Sequence, residues 1–396
     1  MPAPSPTLGD VVRRFAPALE AERGEAVTPA QRAVLSALGR CRTAALGGHV
    51  YRCDHCGSEH IAYNACRNRH CPSCLGHKRA EWLQARTDEL LPVPYFHVVF
   101  TLPTEVAALA LGNKKVVYDI LFQAAAQTLQ CIARDRTYLG AEIGFLAVLH
   151  TWTQTLQHHP HVHCVVPGGG LAPDGSRWFP SRERFFLPVK VLSRLFRGKF
   201  LALLAQAAER GELRFGGSTA SLAAPGAWAD WLRQRRSQEW VVYAKPPFGS
   251  PTQVLKYLAA YTHRVAISNG RILAIDEAGV TFRYRDRAHE NATRTMTLPG
   301  GEFLRRFLLH VLPKGFVRIR HFGFLAPRAR QKLAACRVLL QASTAVAHQS
   351  VDPAAVDNHD TSCPRCSVGR LRHVAVLTPS QAFAASLPPM PPRDTS

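Results

Sequence analysis

Acidic residues are scarce in this chain: 28 Asp and Glu stand against 49 Lys and Arg, leaving a formal net charge of +21 over 396 residues. That imbalance predicts a polyanionic partner held largely through phosphate contacts. Long apolar runs are missing too, and no stretch approaches the roughly 18 to 20 residues of a membrane span. Met1 to Asp10 carries neither a basic n-region nor an apolar h-region, so no secretory signal is expected and a cytoplasmic location follows. In that reducing compartment the eleven cysteines read as metal ligands or reduced core residues, not disulfides. Internal repeats are absent, and 46% apolar with 19% charged residues excludes a disordered chain.

What is present divides the chain into four. Residues 1–40 carry apolar positions at helical spacing (Val11, Val12, Phe15, Leu19, then Val34, Leu35, Leu38), with Thr28-Pro29 as N-cap and first-turn proline. Residues 41–91 begin with six cysteines among His, Arg and Asn and few large aliphatics, so metal is expected to replace a core there, and Glu81 to Leu91 reads as a helix. Residues 92–340 alternate strand-like runs (Phe96 to Leu102, Ile143 to Gln157, His161 to Val166) with helical ones such as Asn113 to Arg134. The expected class is α+β, a central antiparallel sheet with covering helices. Residues 341–396 turn to Ala, Ser, Pro and Thr and read as a partly disordered tail.

Cys53-x2-Cys56, fourteen residues, then Cys71-x2-Cys74 has the spacing of one four-thiolate zinc site, because each CxxC turn brings two sulfurs to a tetrahedral ion. Four thiolates close the coordination shell, so this zinc is expected to be structural. Cys41 and Cys66 are surplus to that set, and Cys363-Pro364-Arg365-Cys366 reads as a lone, inert knuckle. Arg67 and Arg69 lend the module a basic surface suited to DNA phosphates.

Two further motifs carry chemistry. In His161-Val162-His163, strand alternation points both imidazoles to one face and Val162 into the core, making a two-nitrogen claw for a divalent ion. A third ligand is open among His263, Gln154 and His159. Ser250-Pro251 would cap a helix on which Tyr257 and Tyr261, four residues apart, share a face. A phenol with a pKa near 10 is a poor nucleophile at neutral pH. It therefore needs an electrophile polarised by a metal, Mg2+ or Mn2+, with Lys256 and Arg264 neutralising phosphate charge. Arg318 and Arg320 are expected on one strand face, away from Val317 and Ile319, as backbone contacts.

Taken in order, Cys41-Arg42-Thr43, Gly48-His49-Val50-Tyr51-Arg52-Cys53, Cys66 to Pro72, Pro94 to Pro103, His159 to His163, Tyr257 to Arg264 and Leu312-Pro313-Lys314-Gly315-Phe316 resemble the insertion sequence 91 family of rolling-circle transposases. These are the two-tyrosine branch of the HUH endonucleases, and the resemblance covers about Arg42 to Ala326. It implies an N-terminal zinc-binding domain, an HUH nuclease domain, a divalent ion, and single-stranded DNA substrates cut and rejoined through 5′-phosphotyrosine links by Tyr257 and Tyr261. An HUH replication initiator or relaxase would share the claw and tyrosines, and a non-catalytic zinc-containing DNA-binding protein would keep only the cysteines. A metallo-β-lactamase-type hydrolase is excluded, since His163 is followed by Cys164-Val165-Val166 where Asp and His are needed.

The +21 charge makes a salt prediction. Affinity for single-stranded DNA, measured by fluorescence anisotropy between about 50 and 200 mM salt, should fall on the order of 1,000-fold as counterion release loses its drive.

Overall fold

A computed structural model describes residues 5–75, 90–182, 187–245, 266–286, 289–343 and 362–386. In chain order its main elements are α1 (Leu8–Arg23), α2 (Pro29–Arg40), β1 (Gly48–Cys53), β2 (Glu59–Tyr63), β3 (Tyr95–Thr101), α3 (Thr104–Gly112) and α4 (Lys114–Arg134). There follow β4 (Phe145–Trp152), β5 (His158–Pro167), β6 (Gly169–Leu171), β7 (Trp178–Pro180), α5 (Val189–Glu209), α6 (Ala227–Ser237) and β8 (Val242–Lys245). The rest are β9 (Ile272–Ile275), β10 (Val280–Asp286), β11 (Ala292–Leu298), α7 (Gly300–Leu308), β12 (Ile319–Phe322), α8 (Arg330–Ser343), β13 (Leu371–Leu377) and α9 (Pro379–Ser386). The expected α+β class with antiparallel sheets is what forms.

The division into units departs from the serial order expected from the sequence. One unit comprises Met1–Ala80, Ile267–Val311 and Gln349–Ser396; the other comprises Glu81–Ala266 and Leu312–His348. Residues 92–340 therefore do not form one body. Ile267–Val311 packs with the N-terminal segment in one unit, in which Phe282, Phe303 and Phe307 are fully buried, as are Leu8 and Val11. The tail is not structureless either. Its β13 pairs antiparallel with β1, from Gly48↔Leu377 to Cys53↔Leu371, and β1 pairs in turn with β2.

Sequence signals for the first two helices survive. Thr7 and Thr28 each close a reciprocal capping box, with Asp10 and Gln31, and Pro29 sits in the first turn where a missing N–H costs nothing.

The second unit is built on a five-stranded sheet in the order β12-β4-β5-β3-β8, every pair antiparallel. β5 lies at the centre. Alternation gives each strand two faces. On one, Val162, Cys164 and Val166 join Phe96, Val98 and Phe100 beneath α3, α4 and α5, where Phe122, Phe196 and Phe200 complete the core. Each fully buried Phe contributes about 2 kcal/mol of apolar burial. On the other face Val165, Val148, Leu146 and Tyr95 pack with Leu171, Phe324, Cys336 and Leu340. Both faces are covered, which is why the strands read as apolar runs.

β12 joins α8 through Gly323, whose φ is +59° and at which a Cβ would fall 1.8 Å from the Ile143 carbonyl oxygen. Only glycine fits. Gly323→Ala should lower the unfolding free energy by at least about 2 kcal/mol, read by urea denaturation, through combined strain and clash.

Candidate functional site

On the second face of the sheet, at one end, four imidazoles gather. His161 and His163 come from β5, His150 from β4 and His97 from β3, with His150 directly opposite His161 and Val148 opposite His163. A tight turn makes the pairing: Thr153 N–H donates to Gln157 O at 3.0 Å, and Leu156 inside it takes φ +64°. The strand expected over Ile143 to Gln157 thus ends at Trp152.

The ligand nitrogens of His150, His161 and His163 all lie within 4.8 Å of one another, close enough for one ion. Hydrogen bonds sort the tautomers. His161 Nδ1 donates to the carbonyl of His159 at 2.6 Å, so its lone pair falls on Nε2. His163 Nδ1 lies 2.8 Å from His97 Nε2, with the two rings coplanar within 1°. If Nδ1 donates, His163 too presents Nε2, and His97 acts as the orienting partner that metal-bound histidines characteristically have. Trp152 stacks on His150 at 4.5 Å and limits its rotation. The third nitrogen is therefore that of His150. His159 is not part of that group, and His263 lies outside the described residues. Strand spacing within one motif could not reveal His150; the signal was Leu149-His150-Thr151-Trp152, an interruption of an apolar run one short turn upstream.

The cysteines assemble differently from the expected set of Cys53, Cys56, Cys71 and Cys74. Cys71 and Cys74 join Cys41 and Cys66, whereas Cys53 and Cys56 join Cys363 and Cys366. Pairing of β1 with β13 is the physical reason: it carries the C-terminal knuckle to the end of β1, beside Cys53 and Cys56. In the first cluster the sulfurs of Cys41 lie 3.6 Å from those of Cys71 and Cys74, and Cys66 lies 3.7 Å from Cys74. Burial pushes the Cys41 thiol up to about 11, so a cation is what would hold this group as thiolates. Four sulfurs at these separations fit a tetrahedral Zn2+, for which a 2.3 Å bond gives edges of about 3.8 Å. In the second cluster the Ser58 hydroxyl and then the Cys366 backbone amide bring the Cys363 thiol down to about 5.

Comparison with known proteins gives the chain its relatives. A family model described as "Putative transposase" matches residues 144–332, and one described as "Transposase zinc-binding domain" matches residues 11–102. The "Putative transposase y4qJ" of Sinorhizobium fredii is 50% identical over 381 residues, covering 94% of this chain and 96% of that protein. The "Transposase for insertion sequence element IS801" of Pseudomonas savastanoi pv. phaseolicola is 31% identical over 294 residues, covering 73% and 68%. The chain belongs to the insertion sequence 91 family of transposases. No solved structure matches this transposase.

Its zinc-binding domain contains the whole first cysteine cluster, and its transposase domain contains all three clustered histidines. Tyr257, Tyr261, Lys256 and Arg264 lie outside the described residues. Arg67 and Arg69 are exposed. Arg320 lies on the face opposite Ile319, where its guanidinium pairs with Asp119 and lies 4.2 Å from the Phe122 ring centroid, on the α4 side of the sheet. Arg318 precedes β12, and its carbonyl accepts from Leu149 N–H at 3.0 Å. Val317, expected on one strand face with Ile319, precedes β12 and is 59% exposed. Among the described residues no helix is long and apolar enough to cross a membrane.

The His97 contact yields a prediction. His97→Phe keeps a ring in the site but removes the nitrogen facing His163; divalent-ion affinity, followed by calorimetry, should drop about 10- to 100-fold while the circular dichroism spectrum is unchanged.

Proposed function

We propose that this transposase nicks and rejoins single-stranded DNA through 5′-phosphotyrosine links, in the manner of rolling-circle transposition, with Tyr257 and Tyr261 as nucleophiles. The convergence of His150, His161 and His163 on one point carries this reading. Three imidazoles, that of His161 with its tautomer set by the His159 carbonyl, form a donor set suited to a divalent cation, and a nitrogen-rich set favours Mn2+ over Mg2+, which prefers oxygen ligands. The chemistry that such a bound cation supplies is polarisation of a non-bridging phosphate oxygen.

The rest is work for side chains. A tyrosine oxygen forms a bond to phosphorus, the bond from phosphorus to the 3′ oxygen breaks, and the leaving oxygen takes up a proton to become a free 3′-hydroxyl. The phosphodiester energy is kept in the Tyr–O–P bond, so a 3′-hydroxyl can later attack it and restore the tyrosine. Two tyrosines four residues apart on a helix would let one hold the first cut end while the other attacks a second phosphate. Lys256 and Arg264 flank them as charge partners for phosphate, and Arg67, Arg69, Arg318 and Arg320 are proposed to contribute to DNA binding, Arg320 only by giving up Asp119. The +21 net charge supports a single-stranded DNA substrate by the same electrostatics.

The test is covalent capture. Incubated with single-stranded DNA from the flanks of its own gene and Mn2+, the protein should form an adduct stable to boiling in detergent. His150→Ala and His161→Ala should each lower adduct formation at least about 100-fold. Tyr257→Phe and Tyr261→Phe should each retain some adduct, and the double variant none. Undiminished cleavage by His161→Ala in metal-defined buffer, or an adduct formed by the double tyrosine variant, would sink the proposal.

A further inference from the structure

We propose that Cys53, Cys56, Cys363 and Cys366 form a second four-thiolate zinc site, a clamp by which a knuckle near the C-terminus fastens β13 onto β1. The family's zinc-binding match ends at residue 102, well short of the downstream half of this site. Its two halves stand 307 residues apart between Cys56 and Cys363.

Distances come first. Cys53 Sγ lies 3.7 Å from Cys366 Sγ, and Cys56 Sγ lies 3.7 Å from Cys363 Sγ, near the edge of about 3.8 Å that a tetrahedron of 2.3 Å Zn–S bonds requires. A disulfide would need about 2.05 Å. The two knuckles also share a backbone. Gly57 N–H donates to Cys53 O at 3.1 Å, and Ser367 N–H donates to Cys363 O at 2.8 Å. Gly57 and Ser367, each four residues after the first cysteine of its knuckle, both have positive φ, +69° and +56°. A serine held there is strained, a cost a metal-closed turn offsets. Backbone N–H groups of His55 and Cys56 point at Cys53 Sγ, and that of Gly369 points at Cys366 Sγ, each at 3.4 Å, the donors that a metal-bound thiolate accepts. At Gly369 a Cβ would fall 2.5 Å from Cys53 Sγ, so the close approach of the two halves requires glycine.

β13 itself explains why a clamp is needed. Its five central residues, Arg372 to Val376, are all exposed, with Val374 at 48% and Val376 at 62%. It buries almost no apolar surface that would hold it. Ladder hydrogen bonds to β1 and the contacts of Asp54 with Arg370 N–H and Arg372 keep it in register, each worth little alone. Metal binding at the end of the ladder supplies the missing folding free energy. Without it β13 is free to leave, and β1 becomes an unpaired sheet edge.

Metal counting on the full chain tests this. The purified protein should carry two zinc ions per chain by mass spectrometry of released metal, Cys363→Ser/Cys366→Ser should carry one, and Cys41→Ser/Cys66→Ser should lose the other. Hydrogen exchange should then be fast at residues 371–377 in Cys363→Ser/Cys366→Ser and unchanged across α4. Should a variant fail to fold, cobalt titration of the demetallated wild-type chain should give thiolate charge-transfer absorption that saturates at two equivalents. One zinc in the wild type, two retained in Cys363→Ser/Cys366→Ser, iron in place of zinc, or a disulfide among these four cysteines would overturn the assignment.

Discussion

The pairing of β4 with β5 fixes where every histidine of the cluster points. Because side chains alternate with a period of two, register decides whether His161 and His163 face the imidazole cluster or the core beneath the helices. The core allows one answer. Val162, Cys164 and Val166 are fully buried under α3, α4 and α5, so a one-residue slip would put the His161 and His163 imidazoles into an apolar layer, at several kcal/mol for each unsatisfied polar ring. Packing on the far face therefore holds the near face, and with it the clustered imidazoles, in place.

Register brings the rings together, and hydrogen bonding decides what they can do. An imidazole offers one lone pair, and which nitrogen carries it depends on the partner of the other. For His161 that partner is a backbone carbonyl two residues away on its own strand. For His163 it is another buried histidine on a third strand, so the central three strands of the sheet contribute together. This arrangement resists the loss of orientation that a surface His-x-His pair would suffer, because His97, His150 and His163 are each less than a tenth exposed.

How much of this was legible beforehand follows from the range of the interactions. Local signals read correctly: the Thr28-Pro29 helix start, the helix ending at Arg134 and the strand of β3. So did the alternation that separates His161 and His163 from Val162. Long-range partnerships did not. His150 belongs to the cluster through a cross-strand pair, and nothing in a single strand's period names its neighbour. The cysteines misled for the same reason: spacing says that a CxxC supplies two ligands, but not which other knuckle supplies the remaining two. Cys71 and Cys74, nearest in sequence to Cys53 and Cys56, lost that partnership to a strand more than 300 residues away.

The unit that holds the cysteines shows why metal appears where it does. Its helical and hairpin part is held by ordinary apolar contact, Phe282 against Phe303 at 5.6 Å with Phe307 fully buried beside them. The sheet of β13, β1 and β2 has no comparable layer, and along these strands only Gly48 and Cys53 are buried. Three short, largely exposed strands cannot offset their own ordering entropy by burial. Of the cysteines in the two clusters, four are buried, and they sit where a small sheet most lacks a core. In the other unit the opposite holds. There both faces of the sheet are apolar and filled, so the fold has a core of its own beside the clustered histidines.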